Sequence, residues 1–291
     1  MSSPDPEAKL KSAAVLIKKY PKTVIRPRVA QGMADEVANV KDNSQKLTLA
    51  QELQTTFNEP SEAQLIGPVV VQAYADAGQP DEAFAKGAQF LTQTPDALRL
   101  LVQLVAIGTD QVKKRNPKLI SQTIDYGDNA VALIEADKKP TNFDDARWKS
   151  YKSETLPGLY QSLGLLHFSK GDRGTALAKF RKSAELAPSE AFNFVMIGAL
   201  LNDEYQTAAK NYQSIPAGKA RDDELKRVEA LLDSVIDAYA HAIAVSEGNT
   251  SLQQVRQQYQ QDLENYYRYR HHGSTEGMQQ MIDKYKAPAK P

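Results

Sequence analysis

The stretch PGLYQSLGLLHFSKGDRGTALAKFRKSAELAPSE, residues 157–190, decides how this chain folds. Gly164 and Ala176 are small at positions where two antiparallel helices must approach closely, and Tyr160, Leu163 and Phe180 supply the bulk beside them. Gly171 allows the turn between the two helices, Asp172 is placed to cap the second, and Pro188 closes the unit. A helix pair this short cannot bury its apolar face alone, so it must stack on neighbours of the same kind.

Working outward, the apolar period is helical almost everywhere. Asp5-Pro6-Glu7 reads as an N-cap, a proline at the first helical position and an acidic first turn. Leu10, Ala14, Ile17 and Tyr20 follow at spacings of three and four, and Pro21 ends the run. Pro27 opens a second helix with Val29, Met33 and Val37 on one stripe, and Ser44 a third with Leu49, Leu53 and Phe57. Further helices are expected near 62–77, 80–93, 96–114, 117–137, 143–170, 172–186, 190–202, 204–213, 219–246, 250–272 and 275–286. The separators GQPD, QTPD, KKPTN, KGD, APSE and IPAG are short and rich in turn-forming residues. The best strand candidate, LIGPVVV, is demoted by its proline and by the helical pattern that follows. An all-α architecture is therefore expected.

Within 157–190, Tyr160, Leu163, Gly164, His167, Gly171, Ala176, Phe180, Ser183 and Pro188 fall at the signature spacings of the tetratricopeptide repeat, and the stretch resembles that family. Tyr160 stands where tryptophan is usual, His167 where tyrosine is, and Ser183 where alanine is. Weaker copies surround it. Residues 64–97 place Val70, Tyr74, Ala83 and Pro95 at matching offsets, and residues 96–140 keep Leu104, Ile107, Gly108 and Pro140 in a stretched unit. After 190 come Phe194, Ile197 and Gly198, then Ala208 and Tyr212 beyond a shortened turn. The resemblance thus covers roughly 64–214.

The resemblance implies an α-solenoid of antiparallel helix pairs with additional flanking helices at both ends. The division it suggests is 1–60 N-terminal flanking helices, 61–214 repeats and 215–291 C-terminal capping helices, in one continuous helical domain. It also implies a groove, lined by the first helix of each pair, that holds a partner protein or peptide. Gln161, Leu165 and Phe168 would line it in the clear repeat, and Phe192, Val195 and Asn202 in the next. The basic and asparagine pattern that clamps a peptide carboxylate in some members of the family is not evident. The face is instead apolar, and it either takes a hydrophobic partner segment or is covered by the chain's own C-terminal helices.

Composition narrows the rest. Lysine plus arginine (36) balance aspartate plus glutamate (36), which argues against a dedicated nucleic-acid binder. Cysteine is absent, so disulfides, thiolate metal sites and cysteine nucleophiles are excluded. HExxH, the P-loop pattern, GxSxG and GxGxxG do not occur. KGDRGT at 170–175 reads as an inter-helix turn, Asp144-Asp145 as an acidic first turn, and His167 and His241 as isolated packing residues. No catalytic, cofactor or metal residue is assigned. No apolar run reaches the roughly 20 residues that span a bilayer, and a soluble protein with no membrane span is expected. MSSPDPEAKLK lacks the regions of a signal peptide, so the chain as written reads as cytoplasmic, or as periplasmic if its start has been trimmed.

Two stretches invite a functional reading. Lys9, Lys11, Lys18, Lys19, Lys22, Arg26 and Arg28 face only Asp5 and Glu7 in the first thirty residues, a basic start that reads as the solvated face of a capping helix or as a binder of anionic surfaces. NYYRYRHH, residues 265–272, reads as a helix end whose tyrosines pack, and as the lid of the apolar groove. The function expected from all this is a non-catalytic scaffold or adaptor that binds protein or peptide. The alternatives are an accessory protein of the bacterial cell envelope assisting assembly or turnover of surface components and, behind it, an α-helical enzyme.

Overall fold

A computed structural model describes residues 5–141 and 143–286, and among them there are thirteen α-helices, one 3-10 turn and no strand. The chain divides into two units, residues 1–149 and 150–291. The first holds α1 (Pro6–Lys19), α2 (Arg26–Ala38), α3 (Asn43–Thr56), α4 (Pro60–Asp76), α5 (Pro80–Gln93), α6 (Leu98–Lys113) and α7 (Ile120–Glu135). The boundary falls inside α8 (Asp145–Lys170). The second unit holds the rest of α8 with α9 (Arg173–Leu186), α10 (Ala191–Ser214), α11 (Lys219–Val245), α12 (Gln253–Arg270) and α13 (Met278–Asp283).

In the first unit, α4 packs on α5 and α6, and α6 packs on α7, while α1, α2 and α3 gather on one another and α2 and α3 pack on α4. Leu10, Ala34, Leu49, Leu53, Phe57, Ile66, Val70, Phe84 and Leu104 bury the shared core. Close approach is set by glycine: a Cβ on Gly67 would stand 3.2 Å from the Phe90 ring, and one on Gly108 only 2.8 Å from Thr123 Cβ. LIGPVVV is helical, inside α4. Pro68 removes one backbone donor, and the carbonyl four residues back that loses its partner belongs to Gln64, an exposed residue. An ion pair lies buried here. Arg26 reaches Glu62 through Nε (2.7 Å) and a terminal nitrogen (3.1 Å), and it also donates to the Thr56 carbonyl.

In the second unit α9 packs on α10, α10 on α11, and α11 on both α12 and α13. This succession of neighbouring pairs is what the solenoid reading anticipates within each unit. Gly164 meets Phe180 as expected, with a Cβ at Gly164 falling 2.9 Å from the fully buried ring. Gly171 turns the chain at φ 86°, and Asp172 caps α9 by accepting from the Thr175 N–H. Two details differ from the expectation. The break near 203 is absent, because Asn202-Asp203-Glu204 contains neither glycine nor proline and α10 runs on against the 27-residue α11. The last helix is shorter than 275–286, because Gly277 takes φ 87° and helix begins only at Met278.

Candidate functional site

The six groove positions expected from sequence lie in the second unit, where α8, α9 and α10 meet. Gln161 donates to Asn193 (3.1 Å), Asn193 donates to the Ser183 hydroxyl (2.9 Å), and that hydroxyl donates to the Pro157 carbonyl (2.8 Å). This chain of hydrogen bonds satisfies fully buried Asn193 and explains why serine stands at 183. Phe192 packs edge-on to Phe180, with centroids 6.1 Å apart, and Leu165 is half-buried on the same core. Phe168 is the most open of the six, at 37% exposure.

The other two lie under α12. Tyr259 donates its hydroxyl to the Val195 carbonyl at 2.8 Å, and Tyr266 donates to Asn202 Oδ1 at 2.9 Å. Tyr259 also stacks on Tyr239 at 4.0 Å, beside Gly198, whose missing side chain makes room for both rings. Burial pushes the phenols of Tyr239 and Tyr259 well above their ordinary range, so both stay neutral. Leu263, between the two tyrosines, is fully buried. The C-terminal helix therefore occupies the α10 half of the expected groove.

The remaining part of NYYRYRHH is a helix end. Arg268 pairs with Glu264, Arg270 with Asp233, and His271 stacks on Tyr267 at 4.0 Å. His272 and Gly273 leave the helix with positive φ, and the Gly273 N–H bonds the Arg268 carbonyl. Asp144 caps α8 through the Arg147 N–H, and Trp148 Nε1 donates to Asp137. Among the described residues no three His, Asp or Glu side chains are grouped to hold a metal ion.

His241 is placed unlike the other histidines. Its ring lies between Phe194 (3.7 Å) and Tyr285 (4.0 Å), and Tyr285 donates to Asp237. Burial lowers the His241 pKa from its ordinary 6.5, a shift that nearby Asp237 opposes and Lys284 reinforces. A folded-state pKa below the unfolded one means that the unfolded chain takes up the proton first, so stability falls as pH drops below about 6.5. The expected result is a lower urea midpoint at pH 5 than at pH 7.5, with the difference reduced in His241→Phe, which keeps the stack. An equal pH response in the two proteins would show that other groups carry it.

An open groove that the sequence did not announce lies in the first unit. It measures about 870 Å³ and is bounded by the start of α3, the last turns of α4 and the C-terminal half of α6. Its floor is Ala75, Ala106 and Ile107, and its walls carry Asn43, Gln72, Gln111 and Asn116. The carboxamides are ordered among themselves: Gln103 donates to Gln72 (2.7 Å), Gln72 to Asp76 (2.7 Å), and Asn43 to the Asp76 carbonyl (2.8 Å). Burial raises the Asp76 carboxyl, but the hydrogen bonds from Lys46 and Gln72 outweigh it and hold the pKa below its ordinary value. Asp110 pairs with Lys114, so both carboxylates of the groove are balanced. Gln111 accepts from Asn116 and has no intramolecular acceptor for its own N–H groups among the described residues. A neutral wall of amides over an apolar floor suits an uncharged extended backbone. Signals for it were present, since Gln72, Asn43 and Gln111 are polar residues at element ends, but nothing local says that three separate helices bring them together.

No protein-family model and no curated protein sequence matches this chain. No helix of the described residues is long and apolar enough to cross a membrane.

Proposed function

We propose that this protein is a non-catalytic scaffold of tetratricopeptide-like helix pairs that binds an extended segment of another polypeptide. The observation that carries the reading is the amide-walled groove between α3, α4 and α6. The C-termini of α4 and α6 both end at this groove, and the negative ends of their helix dipoles favour positively polarised groups such as the N–H groups of a peptide main chain. On α10, Val195 and Asn202 already accept hydrogen bonds from Tyr259 and Tyr266 of α12, which favours this second groove as the place for a partner. The test is selection of a displayed peptide library on the purified chain. Enriched peptides should lose at least tenfold in affinity for Ala106→Trp, which fills the groove from an exposed floor position without entering the core. Enrichment that Ala106→Trp leaves unchanged, or no enrichment at all, would overturn the reading.

A further inference from the structure

We propose that the corner between α1 and α2 docks the protein on an anionic lipid surface. Four of the eight exposed large apolar side chains among the described residues fall within eleven residues here: Val15 (68% exposed), Tyr20 (52%), Val24 (94%) and Ile25 (46%). No acidic residue occurs between positions 8 and 34. Of the cations in that span, Lys9 pairs with Glu36, Lys11 with Glu7, and Arg26 is buried on Glu62. Lys18, Lys19, Lys22 and Arg28 have no carboxylate partner among the described residues and are exposed. A chain that is neutral as a whole therefore concentrates unpaired positive charge at one corner, and that corner also carries Val24, the most exposed large apolar side chain among the described residues.

Helical spacing arranges these groups on α1. Leu10, Ala13 and Ile17 face the core, so Val15 lies on the outward arc, three or four residues from Lys11, Lys18 and Lys19. Val24 and Ile25 then stand in the short turn that leads to α2. The apolar groups are single side chains separated by lysines, not a continuous face, and this favours lipid over a protein partner. Protein interfaces need a contiguous dehydrated centre and are depleted in lysine. An interfacial membrane contact needs only apolar tips that dip below the headgroups, an amphipathic tyrosine at their level, and lysines reaching anionic phosphates.

The experiment is vesicle co-sedimentation of the full chain with phosphatidylglycerol-rich and pure phosphatidylcholine vesicles, at low and high salt. Binding is expected to the anionic vesicles alone, weakened by salt because exposed charges are screened. Lys18→Glu/Lys19→Glu/Lys22→Glu should lower the affinity at least tenfold. Val24→Asp should lower it severalfold with an unchanged melting temperature, since Val24 is almost wholly exposed. The proposal fails if neither vesicle binds, if both bind equally, or if Val24→Asp binds as the native chain does. It also fails if polyglutamate is bound through the same lysines while anionic vesicles are not, an outcome that would make the corner a site for an acidic protein.

Discussion

Replacing Arg26 by methionine should destabilise the N-terminal unit by about 3–5 kcal/mol, because it leaves the Glu62 carboxylate buried without its cation. Glu62 is fully buried, and Arg26 is 6% exposed. Arg26 supplies two hydrogen bonds to that carboxylate, at 2.7 and 3.1 Å, and the remaining one comes from the Glu59 backbone N–H at 3.0 Å. Without the guanidinium, one backbone bond must stabilise a charge that water no longer reaches. The double variant Arg26→Met/Glu62→Leu should recover most of the loss, since an apolar pair of similar volume carries no desolvation penalty. Urea unfolding of the two variants separates these contributions. An unchanged midpoint in Arg26→Met would show that Glu62 has another partner or is open to water.

Gly108→Ala is the second large effect, expected to cost up to about 2 kcal/mol net. The new Cβ would fall 2.6 Å from Thr123 Cγ2 and 2.8 Å from Thr123 Cβ. These atoms sit at the stem of a β-branched side chain and cannot swing away, and the Thr123 hydroxyl is already committed to the Leu119 carbonyl at 2.6 Å. Overpacking of this kind costs about 1–3 kcal/mol and occasionally more, and the better helix propensity of alanine offsets about 1 kcal/mol. Gly32→Ala is the control with the opposite sign. Nothing lies within 4 Å of its Cβ, so the propensity gain stands alone and the melting temperature should rise slightly. Thr123→Ala added to Gly108→Ala should restore packing. Equal behaviour of Gly108→Ala and Gly32→Ala would disprove the close approach of α6 and α7.

Both predictions show how unevenly the sequence announces its structure. Gly108 and Gly164 stand at helical spacing inside apolar stripes, where a small residue signals another helix close by, so their role was readable. Arg26 was not readable. In the sequence it is one of seven basic residues in a cationic start, and nothing local distinguishes it from Arg28, two positions on. Its burial depends on Glu62, 36 residues away, and on the packing of α2 against α4.

The candidate site divides in the same manner. The tyrosines of α12 were legible as a packing stripe, and the apolar α10 face as a surface in need of cover. That Tyr259 and Tyr266 meet Val195 and Asn202 is a contact between residues 64 positions apart, invisible to any periodicity. The amide groove draws its walls from three helices, each of which spends its polar residues in an ordinary way when taken singly.

What the sequence determined by itself is the helical character, most turn positions and the glycines of close approach, because apolar period, capping and backbone freedom act within a few residues. The tertiary structure alone decided which apolar face is covered, which cation is buried and where an open groove remains. Burial is a property of what arrives from elsewhere in the chain, and it changes the consequence of a side chain without changing its identity.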